Sequence, residues 1–215
     1  MKNIRWLLSV TMVCFLLFGV VGAQSAFAQG TANTAGVTAD DRDGDGIPDA
    51  AEKLLGTNPY TADTDGDGIS DVEDTNPVMA ENPITETSTV ALPIQIKDVR
   101  VEDNQTADHL EITMRNTGAE TLSGFDVYFT ITDKKNGAQE GYYVNLDGLE
   151  IAAGESATIH FDNDVTTPNH YYGNMNGLYG TSANGLTFDI TLHARGYAPL
   201  NFSVDKAEGT AEVAD

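Results

Sequence analysis

A twelve-residue pattern occurs twice between Asp41 and Asp74, as DRDGDGIPDAAE (Asp41–Glu52) and DTDGDGISDVED (Asp63–Asp74). Each copy sets Asp at positions 1, 3, 5 and 9, Gly at position 6 and a carboxylate at position 12. A hard dication such as calcium takes six to eight oxygens at about 2.3–2.6 Å, and this alternation supplies them. The candidate ligands of the first loop are Asp41, Asp43, Asp45, the carbonyl of Ile47, Asp49 and Glu52. Those of the second are Asp63, Asp65, Asp67, the carbonyl of Ile69, Asp71 and Asp74. Gly46 and Gly68 allow the sharp turn that lets the carboxylates converge. About two Ca²⁺ are expected. The competing reading, a solvated acidic segment, does not explain why Gly at 6 and Asp at 9 repeat in phase.

The chain of 215 residues opens on MKNIRWLLSVTMVCFLLFGVVGAQSAFAQ. Lys2 and Arg5 precede an apolar run over Leu7–Gly22, and Ala26-Phe27-Ala28 is an A-x-A site. These are the parts of a secretory signal peptide, residues 1–28. The run is short for a spanning helix, which needs about 20 residues. Cys14, the one cysteine, lies inside this segment, so the mature chain has no disulfide and no thiolate site. Cleavage leaves 9 basic against 33 acidic residues, a formal charge of −24. Such a surface repels nucleic acid and anionic lipid and suits a calcium-rich exterior. A secreted or cell-surface location is expected, with no nucleic-acid partner and no stable membrane anchor after cleavage.

Residues 29–39 read as a flexible polar leader. Within 40–77, PDAAEKLLGTNP carries the punctuation of a short helix, with Pro48 in the first turn, Gly56 as C-cap and Pro59 as stop. Ala51, Leu54 and Leu55 form its expected apolar face. Two turns are too few to stand alone in water, so metal ligation must supply much of the folding free energy. This segment resembles the bacterial thrombospondin type 3 repeat, down to the intervening LGTNP and the 22-residue offset between loops. Paired EF-hands and dockerins usually place the apolar residue at loop position 8, whereas Ile47 and Ile69 stand at position 7. The resemblance implies calcium binding and a spacer role beside another domain. Residues 78–92 (VMAENPITETSTVAL) read as an extended linker.

Residues 93–205 carry the pattern of a β domain. Strands are expected at Ile94–Val101, His109–Asn116, Phe125–Thr132, Gly141–Asn145, Ala157–Phe161, Leu186–Ala194 and Leu200–Val204. Phe125, Val127, Phe129 and Ile131 share one face, as do Leu110, Ile112 and Met114, then Ala157, Ile159 and Phe161, then Leu186, Phe188, Ile190 and Leu192. Turn signals such as Asn136-Gly137 and Asp147-Gly148 separate the runs. The fold class is mainly β, an immunoglobulin-like β-sandwich preceded by a small calcium-loop module with short helices. The strands EITMRNTGAETLSGFDVYFTI and LEIAAGESATIHFD resemble generic Ig-like modules of bacterial surface proteins. Residues 206–215 are a polar tail.

One connection, residues 162–184, is too long to be a plain turn. It holds Tyr171, Tyr172 and Tyr179 among Asn and Asp residues, a combination that can stack on a sugar ring and bind its hydroxyls. The alternative is a loop that packs its aromatics over the sandwich edge. The four histidines, His109, His160, His170 and His193, fall in the sandwich, and His160 and His193 are expected to point outward. No GxSxG, HExxH, Walker or dinucleotide motif is present. The leading expectation is a secreted, non-enzymatic calcium-binding protein whose paired loops clamp or space a sandwich that makes an adhesive contact with a surface glycan or protein. A carbohydrate-binding module is the second expectation and an uncharacterised secreted hydrolase the third.

Overall fold

The computed structural model describes residues 40–101 and 110–208. The expected signal peptide and leader, His109 and most of the expected polar tail lie outside them. The chain runs through helix α1 (Asp49–Leu55), strands β1 (Ile94–Val101), β2 (Leu110–Asn116), β3 (Phe125–Asp133), β4 (Gln139–Asn145), β5 (Ser156–Asp162) and β6 (His170–Tyr172), helix α2 (Leu178–Thr181), and strands β7 (Leu186–Ala194) and β8 (Leu200–Lys206). Two four-stranded sheets result, ordered β1-β2-β5-β6 and β4-β3-β7-β8.

Period-two alternation decides which side chains meet. Strand β3 alternates buried and half-buried residues from end to end, pairing antiparallel with β4 on one side and β7 on the other. Phe125, Val127, Phe129 and Ile131 thereby face Leu110, Ile112, Met114, Ile159 and Phe161 of the other sheet in one core. The Phe129 and Phe161 rings meet edge to face at 5.3 Å, across the two sheets. Each such side chain contributes roughly 1.5–3 kcal/mol on burial. Asp133, also inward at the end of β3, is almost fully buried. Ser182 Oγ and Asn184 Nδ2 donate to its Oδ2 at 2.7 and 2.8 Å, and the N–H groups of Lys135 and Asn136 donate to Oδ1. These donors, the two side chains foremost, hold its carboxyl below the ordinary range.

Two features differ from the sequence expectation. Residues 170–172 form an added edge strand, β6, which pairs with β5 in parallel through His160↔His170. A three-residue strand carries no readable period. The segment expected to be a linker instead crosses the outer face of the β4-β3-β7-β8 sheet. The N–H groups of Ala80 and Gly141 donate to Gly141 O and Val78 O, each at 3.0 Å. Tyr128 Oη donates to Ala80 O at 3.1 Å, Gly196 N–H donates to Glu86 at 3.0 Å, and Ala198 N–H donates to Val90 O at 2.7 Å. His193 does point outward, but Glu86 of this segment covers it and leaves it only 9% exposed. His160 is likewise covered by the stacked ring of His170, 4.3 Å away.

Phe129→Ala should cost about 3–5 kcal/mol by chemical denaturation. Asp133→Asn should lower the thermal midpoint at pH 7. A depressed folded pKa gives stability that is present above the unfolded value of about 3.9 and fades as pH falls below it. The gap between variant and wild type should therefore narrow toward pH 2, and a constant gap would contradict the charge-based account.

Candidate metal centre

Both loops wind by the same device. In the first, Asp41 Oδ1 accepts from Gly44 N–H at 2.9 Å, Asp43 Oδ1 from Asp45 N–H at 3.2 Å, and Asp45 Oδ1 from Ile47 N–H at 2.6 Å. In the second, Asp63 Oδ1 accepts from Gly66 N–H at 2.9 Å, Asp65 Oδ1 from Asp67 N–H at 3.1 Å, and Asp67 Oδ1 from Ile69 N–H at 2.8 Å. Each Asp thus uses an oxygen to bend the backbone toward the next, and Asp63 uses both, its Oδ2 accepting from Gly68 N–H at 2.9 Å. Gly46 and Gly68, at φ 101° and 93°, close the turn. The ligand atoms of Asp41, Asp43 and Asp45 lie within 4.8 Å of one another, as do those of Asp63, Asp65 and Asp67.

The remaining oxygens test whether a cation fits. Asp43 Oδ2, Asp45 Oδ2, Asp65 Oδ2 and Glu52 Oε2 are buried and have no hydrogen-bond partner among the described residues. Buried carboxylate oxygens are otherwise paired almost without exception. An all-oxygen set with unmet acceptors suits a hard dication, so the residues fit calcium. Burial raises the Glu52 carboxyl to about 7, with Asp43 and Asp45 adding repulsion. Burial likewise raises Asp65 to about 6, against the opposing hydrogen bond from Asp67 N–H.

Position 9 also reaches back to position 2 of its own loop. Asp49 Oδ1 accepts from Arg42 N–H at 3.1 Å, and its Oδ2 pairs with Arg42 Nε at 3.0 Å. In the second loop Asp71 takes the N–H and Oγ1 of Thr64 at 2.8 and 2.7 Å. Both oxygens of each accept from loop position 2, so Asp49 and Asp71 brace the loops. The backbone repeats the brace, with Asp49 N–H on Asp40 O and Asp71 N–H on Ala62 O, both 2.8 Å. At position 12, Glu52 is fully buried beside the first triad, whereas Asp74 Oδ1 accepts Asn76 N–H at 2.8 Å at the rim of the second. Ile47 is half-buried and Ile69 is 45% exposed.

Helix α1 follows the first loop as expected, with Pro48 as its N-cap and Gly56 in the left-handed region at φ 86°. Its expected apolar face does not pack: Leu54 is 87% and Leu55 58% exposed, and the buried side chain of the helix is Glu52. The helix is therefore oriented by its carboxylate toward the loop, not by apolar contact.

The module is joined to the sandwich by polar contacts that no local pattern announces. Tyr143 N–H of β4 donates to Asp65 O at 2.7 Å, inside the second loop. Asn174 and Asn176 send their amides to Gly56 O and Thr57 O, each at 2.7 Å, and Asn58 sends its own to Gly173 O at 3.3 Å. Glu140 anchors this side: its carboxylate accepts Leu178 N–H, which starts α2, and Tyr142 Oη at 2.7 Å. Tyr142 Oη in turn accepts from Asn174 at 3.1 Å. The long connection therefore holds the connector between the two loops. Tyr179 is buried against Phe188 at 7% exposure, so the expected platform of three tyrosines does not form. Tyr171 leans on Phe161, and Tyr172 stacks on Tyr60 at 6.2 Å.

Two predictions follow from this geometry. A Cβ on Gly66 would lie 2.0 Å from Tyr143 O, whereas one on Gly44 would meet nothing within 4 Å. Gly44→Ala should cost only the left-handed penalty, about 1–2 kcal/mol, while Gly66→Ala should undock the second loop and cost clearly more by thermal unfolding in calcium. Raised carboxyl pKa values mean that the native state without calcium binds more protons than the unfolded chain between about pH 4.5 and 7, so its stability falls as pH rises through that window. Calcium requires the ionised forms. Calorimetry at pH 6 in buffers of different ionisation enthalpy should therefore show proton release that vanishes by pH 8. Equal apparent enthalpies at pH 6 would show that neither Glu52 nor Asp65 gives up a proton on binding.

Comparison with known proteins bears on the loops alone. Curated proteins yield no match. Among solved structures, the Northeast Structural Genomics Consortium target SoR45 is 13% identical, covering 54% of this chain and 86% of its own, at a TM-score of 0.35. A Bacteroides uniformis beta-glucuronidase is 17% identical, with 54% of this chain matching 12% of that one at a TM-score of 0.30. The same organism's beta-glucuronidase 2, bound to a cyclophellitol-6-carboxylate aziridine, is 15% identical over 56% of this chain and 13% of its own, also at 0.30. The chain thus spans about an eighth of these glucuronidases, and scores this low carry no argument. The family model of the bacterial TSP3 repeat, a calcium-binding type, matches residues 41–62 and 63–73, the two loops built above.

Proposed function

We propose that this is a secreted, non-enzymatic calcium-binding protein in which about two Ca²⁺ clamp the acidic module against an Ig-like β-sandwich that serves as an adhesion or interaction domain. The carrying observation is the set of unpartnered buried oxygens on Asp43, Asp45, Asp65 and Glu52. A clamp is favoured over a free spacer because Asp65, a ligand candidate, also accepts the Tyr143 N–H of the sandwich through its backbone. Filling the second loop therefore rigidifies a segment of the domain's own edge. Secretion is supported by the signal-like first 28 residues and by the repeat type. Among the described residues no helix is long and apolar enough to cross a membrane.

Ligand linkage sets the size of the effect. Calcium at about 100 times its Kd stabilises by about 2.7 kcal/mol per site, and each kcal/mol raises the midpoint of a chain this size by about 2–4 °C. Thermal unfolding of the mature protein should shift upward by 5 °C or more between EDTA and millimolar calcium, as one transition that includes the sandwich. No calorimetric binding at millimolar calcium would sink the metal reading. A shift of the module alone, with the sandwich transition unmoved, would restore the spacer.

A further inference from the structure

A cleft of about 460 Å³ opens between the second loop and the sandwich, within the 300–1,000 Å³ usual for small-molecule sites. Asp63 and Gly66 of the loop form one wall. Asn145 and Asp147, at and just beyond the end of β4, form the other, and His170, Tyr171 and Tyr172 of β6 lie between them. The rings are held in place before any ligand arrives. Tyr172 is 37% exposed and backed by Tyr60. Tyr171 rests on Phe161, and its Oη donates to Asp147 O at 3.4 Å. His170 is fixed by the buried Asp162 carboxylate at 2.7 Å. Preset aromatic rings lose little conformational entropy on binding.

The chemistry of the lining narrows the ligand. Tyrosine faces take the C–H face of a ring, while the exposed side chains of Asn145 and Asp147 offer donors and acceptors for hydroxyls. The carboxylate of Asp147, in a chain of formal charge −22, repels anions such as uronates and sulfated sugars. We propose that this cleft binds a neutral saccharide, one ring lying on Tyr172 with its hydroxyls on Asn145 and Asp147. Because one wall is the second loop, binding requires that loop to be closed on calcium. This dependence rests on the clamp proposed above; the cleft itself does not. Tyr179, buried in the core, takes no part.

The test is affinity electrophoresis of the mature chain through gels holding neutral polysaccharides (β-glucan, mannan, galactan, xylan) or anionic ones (polygalacturonate, alginate), with calcium or with EDTA. The expected result is retardation by at least one neutral polysaccharide, weakened at least tenfold in Asp147→Ala and in Tyr172→Ala and lost in EDTA. Calcium titration and thermal unfolding of each variant establish that it is folded, and Asp147→Ala alters an exposed side chain for that reason. Retention by no neutral glycan, by anionic ones alone, or equally by wild type and both folded variants would overturn the cleft. If calcium then still binds normally, the clamp stands without it. Neutral-glycan binding that persists undiminished in EDTA would overturn the calcium dependence.

Discussion

Three aspartates per loop bend the backbone with their carboxylates, and Asp43, Asp45 and Asp65 each keep a buried oxygen that no protein group meets; these groups set the terms for the rest of this molecule. At an effective dielectric constant of about 20, two unit charges about 4 Å apart repel by about 4 kcal/mol, less where water and salt screen the exposed members. Wound this tightly, the loops are self-opposing until a cation turns repulsion into ligation. Pairing with a lysine or arginine would not serve, because a single cationic side chain cannot meet oxygens arriving from several directions.

The two loops are equal in sequence and unequal in surroundings. The first has open space around Gly44, whereas the second lies so close to β4 that Gly66 leaves no room for a side chain. Asp65 is buried in consequence, while its counterpart Asp43 remains half-exposed. Charge balance in the second loop is therefore coupled to the sheet edge through the Asp65–Tyr143 backbone bond, and the cleft beside it inherits the same coupling. The long connection after β5 contributes on the other side, where its asparagine amides satisfy carbonyls of the GTN connector that would otherwise need water. The acidic module thus becomes part of the domain's surface mainly through polar contacts, with the Tyr60–Tyr172 stack beside them, while Leu54 and Leu55 are left exposed.

Most of the sandwich was readable in advance because its information is local. Strand β7 alternates Leu186, Phe188, Ile190 and Leu192 whatever lies opposite, and observed and expected bounds agree for it and for β1. Strand β6 was not readable: three residues show no period, and their pairing with β5 is a parallel contact between segments separated by a turn. The segment 78–92 looked like a linker because its contacts are mostly main-chain bonds, which leave no imprint on side-chain choice. Tyr179 and Tyr172 carry the same composition signal, yet one is in the core and the other half open, a difference set by α2 and Glu140 rather than by their neighbours in sequence.

By itself the sequence determined the ligand chemistry. Positions 1, 3 and 5 of a short loop converge through bonds two or three residues apart, a geometry that needs nothing from elsewhere in the chain. It also determined the two-sheet core, because period-two burial is a property of each strand alone. Only the tertiary structure decided that position 9 braces the loop, that the second loop is seated on β4, and that Tyr171 and Tyr172 without Tyr179 line a cleft. Each of these depends on which backbone groups come within hydrogen-bond reach across more than fifty residues of chain, or on which of two oxygens a donor reaches first. Residue spacing encodes neither.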